Sequence, residues 1–133
     1  MANRYEKTLA LLLRLDAILL LAAVVPSMMP FAWMQAIHRS LGMGELSGGP
    51  LNGYLTRSLS MLYALHGAVM LFLSLDVRRF LPVVRFIVVL GVLFGLWMTG
   101  LDLVVGMPLF WAVSEGPVIF LLNCVMLWLV SRV

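Results

Sequence analysis

Residues 82–105 read PVVRFIVVLGVLFGLWMTGLDLVV, an apolar run with one basic side chain near its start, Arg85, and one acidic side chain near its end, Asp102. As a helix rising ~1.5 Å per residue it is long enough for a hydrocarbon layer ~30 Å thick. A chain in lipid has no water to satisfy its amides and carbonyls, and a helix closes those bonds within one segment. The stretch therefore reads as a transmembrane helix, and that reading decides the fold class.

The rest of the chain agrees. Of 133 residues, 63% are hydrophobic and 11% charged, against roughly a quarter charged in soluble domains. Windows of about 19 residues place further spans at 9–25, 54–75 and 108–130, with an outer connection at 26–53. The expectation is an all-α, polytopic membrane protein. Its single domain, 1–133, is four transmembrane helices in an antiparallel bundle, because the links after the second and third spans are short. Arg14 and Asp16 interrupt the apolar centre of the first segment, so it reads as a retained span and not as a cleaved signal.

Basic residues then orient the chain. Arg4, Lys7, Arg14, Arg78, Arg79, Arg85 and Arg132 collect on the side of the termini, with Arg39 and Arg57 on the other. By the positive-inside tendency both termini are cytoplasmic and the long connection faces outward. Within it, Phe31, Met34, Ile37 and Leu41 recur at helical spacing beside Trp33, which predicts a short helix lying in the headgroup layer. It is a plain connector or a lid over a site. Topology accounts for the net charge of +3, and nucleic acid is not an expected partner.

Polar groups inside the spans are the functional candidates, since an unpaired charge at mid-bilayer costs roughly 2.5–3.5 kcal/mol on insertion scales. Gly91, Gly95, Thr99, Asp102 and Gly106 fall within about 80° of helical arc, a face that admits a close neighbour. Ser60, Ala64, Gly67 and Ala68 form a comparable seam on the second span. Packing these seams together predicts contact between Arg57 and Asp102, with Glu115 nearby through the tight turn at Gly106 to Pro108. The resulting outward-facing notch would be lined by Arg57, Asp102 and Glu115, with His66 as a further ligand-binding candidate. A buried ion network that only holds the helices in register explains the same residues.

His66 points to a side of its helix opposite Arg57, towards a helix carbonyl, Asn123 or Asp16; Tyr63 lies near it. Asp16, Tyr63 and Asn123 are therefore secondary polar candidates. Pro117 removes an amide next to Glu115 and predicts a kink there. Alternatively Ser114 caps a helix that begins at Glu115. No metal site or cofactor is expected: Cys124 is the only cysteine, and the second histidine, His38, lies in the outer connection, away from any haem partner of His66.

The segments AWMQAIHRSLGMG (32–44), YLTRSLSMLYALHG (54–67), DVRR (76–79) and DLVVGMPLFW (102–111) followed by EGP (115–117) resemble a group of small bacterial four-span proteins, similar in layout to DoxX-like membrane proteins. The resemblance implies a four-helix protein of the bacterial inner (cytoplasmic) membrane and carries over no catalytic residue. Small multidrug transporters share the span count and an acid in the first helix, which Asp16 would imitate, but their glycine and tryptophan pattern is missing.

Four function classes follow, of which a small transporter is the last. The first is a non-enzymatic membrane protein whose notch binds a lipid headgroup or an amphipathic small molecule. The second is an accessory or assembly subunit of a larger complex, with a membrane-protein partner or a second copy on its surface. The third is a membrane enzyme moving protons through His66, Asp102 or Glu115. The chain has no phosphate-binding glycine loop, nucleophile elbow or paired-histidine motif, so the enzyme reading rests on no signature.

Overall fold

The structure, a computed structural model, describes residues 3–133. Among the described residues seven helices follow one another: α1 (Arg4–Leu21), α2 (Val24–Met28), α3 (Phe31–Ser40), α4 (Pro50–Leu73), α5 (Leu81–Val105), α6 (Leu109–Ser114) and α7 (Gly116–Val130). Four stretches are long and apolar enough to cross a membrane: Arg4–Met28, Pro50–Leu73, Leu81–Val105 and Leu109–Val130. The chain is an all-α, multi-pass membrane protein.

The first and second spans start earlier than their apolar windows. Asn3 Oδ1 accepts the Glu6 amide at 2.8 Å, a side-chain cap that lets the polar turn Arg4–Lys7 join the helix. At α4, Gly49 has a φ of +139° and Pro50 opens the helix, so the outer connection shortens to the residues between Met28 and Pro50. Hydropathy does not register a polar first turn; capping does.

Two spans are interrupted, each next to a proline. Pro26 has no amide for the Ala22 carbonyl, and Val25 takes that carbonyl instead at 3.0 Å. The first span accordingly breaks into α1 and α2 at Ala22 and Ala23. In the fourth span Glu115 sits at φ −91°, ψ −82° between α6 and α7, two residues before Pro117. Ser114 is not a cap, since its hydroxyl donates back to the Trp111 carbonyl. α5 is continuous, opened by Pro82 in its first turn and closed by Gly106 at φ +77°, whose amide bonds to the Asp102 carbonyl.

The chain forms two compact units. One comprises the residues through Leu13 together with Leu73–Val133; the other is Arg14–Phe72. In the first, α5 and α7 touch backbone to backbone. A Cβ on Gly91 would collide with the Asn123 carboxamide, one on Gly95 with the Phe120 backbone, and one on Gly116 with Thr99. Val84, Val88 and Met126 are buried around this seam. At one end of the unit the N-terminus, the α4–α5 link and the C-terminus meet. Arg78 binds Glu6 at 2.8 Å, Tyr5 meets Trp128 edge-on with centroids 5.8 Å apart, and Asn3 donates to the Arg132 carbonyl.

In the second unit α4 meets α1. A Cβ on Gly67 would lie 2.8 Å from the Ala17 carbonyl oxygen and 2.9 Å from Leu20 Cβ. The α4 seam thus meets α1 at Gly67, as the glycine face of α5 meets α7 at Gly91 and Gly95.

α3, the helix expected in the outer connection, is present and buries none of its residues. The return segment is tied to it. Gln35 donates to the Leu46 carbonyl at 3.3 Å, His38 Nδ1 lies 3.2 Å from the Gly44 carbonyl, and Arg39 pairs with Glu45 at 2.8 Å.

Candidate functional site

In the second unit an open groove of about 760 Å³ lies among α2, α3 and the start of α4. Arg57, about two turns into α4, lines it with Tyr54 and Ser58, and Met28, Phe31 and Met61 line it as well. The groove exists because Pro26 breaks the first span and Pro30 precedes α3, so the chain turns beside α4 instead of running away from it. One wall is apolar, of Met28, Phe31 and Met61. The other carries the guanidinium.

Arg57 Nη2 donates to the Met29 carbonyl at 3.2 Å. That acceptor is neutral, and among the described residues no carboxylate lies within ion-pairing distance of Arg57. The Ser58 hydroxyl is engaged with the Tyr54 carbonyl of its own helix at 2.8 Å. The groove thus offers a cation with unused donors next to an apolar floor, the arrangement that receives an anionic head on a hydrocarbon tail.

His66 lies ~13 Å farther along α4, on an exposed face. It makes no hydrogen bond to a described residue; its charged neighbour is the half-buried Asp16. The two flank the Gly67–Ala17 contact, which brings α1 and α4 together at that level. Tyr63 is half-buried on α4.

In the first unit Asp102 is 3% exposed, and its Oδ2 has no hydrogen-bond partner among the described residues. Glu115, at the break in the fourth span, accepts a hydrogen bond from the Trp111 indole N–H on Oε2 and lies within electrostatic reach of Asp102. Asn123 is spent on its own helix, donating to the Ile119 carbonyl at 2.8 Å.

Of the four primary candidates, Asp102 and Glu115 belong to one unit, within electrostatic reach of each other, while Arg57 and His66 belong to the other and stand apart along α4. Arg57 uses a backbone carbonyl, and Asp102 Oδ2 has no hydrogen-bond partner among the described residues. Sequence reasoning missed that carbonyl, which no side-chain pattern announces. It also missed Trp111, although Trp111 and Glu115 are four residues apart and so share a helical face.

Comparison with protein-family models, with curated proteins and with solved structures gives no match for this chain.

Proposed function

We propose that this multi-pass protein is a non-enzymatic binder of an anionic amphiphile, a lipid headgroup or an amphipathic small molecule, seated in the Arg57 groove. The supporting observation is the guanidinium itself, bonded to a neutral carbonyl at 3.2 Å beside an apolar wall of Met28, Phe31 and Met61. In this reading the headgroup takes the free Arg57 donors and the tail lies over the methionines. The distribution of Lys and Arg supports termini on the cytoplasmic side, with the groove at the outer surface of a bacterial inner membrane. The DoxX-like layout of the sequence agrees with that placement.

Native mass spectrometry of the full chain, purified with phosphatidylglycerol and phosphatidylethanolamine supplied at equal ratio, tests the reading. Wild type retains the anionic lipid preferentially, and Arg57→Ala loses the preference by about tenfold or more, the loss of one charge-assisted hydrogen bond worth roughly 1.5–3 kcal/mol. Equal retention of both lipids by wild type, or an unchanged preference in Arg57→Ala, overturns it. A stoichiometric protein partner co-purifying without lipid would favour the accessory-subunit reading instead.

A further inference from the structure

The Arg57 groove leaves the two carboxylates of the first unit unused. Asp102 is the better buried of them, at 3% exposure, and its Oδ2 meets no donor among the described residues. A carboxylate withdrawn from water without a hydrogen bond or counter-charge is costly. A second acid, Glu115, is within electrostatic reach of Asp102, and among the described residues the Trp111 indole donates to Glu115.

Neutral oxygens lie on the same stretch of α5 and at the same break. Thr99 stands one helical turn before Asp102 on α5 and donates its hydroxyl proton to the Gly95 carbonyl at 2.7 Å, leaving its oxygen lone pairs as acceptors. Gly116 brings the start of α7 against Thr99 so closely that no Cβ fits between them. Pro117 supplies no amide for the Val113 carbonyl, and Glu115 interrupts the span at that level. Broken helices inside membranes commonly use their freed carbonyls on cations.

We propose that Asp102 and Glu115, with neutral oxygens at the α6–α7 break, form a binding site for a small monovalent metal cation. The donor chemistry selects this class. All the groups are hard oxygens, which disfavours soft transition metals. Among the described residues no group of three His, Cys, Asp or Glu side chains is placed to hold a metal ion, so the site lacks the carboxylate count typical of calcium. The site is opposite in sign to the Arg57 groove.

Sodium is the probe. The full chain in a neutral maltoside detergent is unfolded thermally across a sodium chloride titration, with choline chloride holding ionic strength constant. A saturable rise of the midpoint in sodium, absent in choline, is expected; Asp102→Asn abolishes it, and Glu115→Gln raises the apparent sodium Kd at least tenfold. Should Asp102→Asn fail to fold, the wild-type contrast between sodium and choline and the Glu115→Gln titration decide the matter. A second readout is local to the site: with Trp33, Trp97 and Trp128 replaced by Phe, Trp111 emission changes saturably with sodium. Identical midpoints in sodium and choline, or a wild-type sodium response in Asp102→Asn or Glu115→Gln, overturn the proposal.

Discussion

The α5–α7 contact and the α1–α4 contact are built from the same device in different amounts. Between α5 and α7, Gly91, Gly95 and Gly116 each have the opposite helix where a Cβ would stand; between α1 and α4 only Gly67 does. Membrane helices associate through packing and interhelical bonds, since lipid tails supply no hydrophobic drive between them. A seam of three close approaches holds two helices together over most of their length and can keep Asp102 out of solvent. A single approach leaves the helices beyond it to loops and breaks, and there the Arg57 groove opens.

Substituting a glycine in each seam tests that difference. Gly95→Leu is expected to have the largest effect, about 3 kcal/mol of destabilisation, because overpacking costs typically 1–3 kcal/mol and occasionally more. Here the obstacle is the Phe120 backbone, which cannot rotate aside. Gly67→Val should cost about 2 kcal/mol, since α1 beyond Ala17 has fewer neighbours holding it in place. Reversible unfolding in mixed micelles measures both, and a milder Gly95→Leu than Gly67→Val breaks the comparison.

Within the three-glycine seam the positions are not equivalent. What a Cβ on Gly91 meets is the Asn123 carboxamide, a side chain, whereas Gly95 meets backbone. Gly91→Ala is therefore expected to cost about 1.5 kcal/mol alone and much less in an Asn123→Ala background, where the obstructing amide is gone. A double-mutant cycle should give a coupling of about 1 kcal/mol. Additive effects would mean that the seam at Gly91 closes on something other than Asn123.

The contrast also explains how far the sequence could be read. The four spans were legible because apolar length is a property of consecutive residues, and the polar faces of α5 were legible because a helix has a fixed period. The glycine seam of α5 was visible in Gly91, Gly95 and Thr99. Its partner was not, because small residues announce that something comes close without naming it. Proline breaks were legible at Pro117, inside an apolar run, and overlooked at Pro26, where the run itself ends. The acceptor of Arg57 was illegible for a related reason: charge complementarity between side chains is written in the sequence, whereas a backbone carbonyl such as that of Met29 exists in every residue and becomes an acceptor only through the local path of the chain.

The smallest expected effect lies at the end of the first unit, where Glu6 and Arg78 pair at 2.8 Å. The Arg78 side chain is 54% exposed and that of Glu6 16%, so solvent and salt screen the attraction, and exposed pairs of this kind contribute roughly 0.2–1 kcal/mol. Arg78→Ala should cost about 0.5 kcal/mol at low salt, a cost that fades as ionic strength brings the screening length below ~8 Å. The Tyr5–Trp128 ring contact joins the same chain segments without any charge, and it keeps the N-terminus against α7 when the ion pair is removed. Unfolding of Arg78→Ala in low and high salt measures the difference. A loss above 2 kcal/mol that persists in salt would mean that this end, and not the glycine seam, carries the stability of the first unit, and the comparison of the two contacts would have to be rebuilt around it.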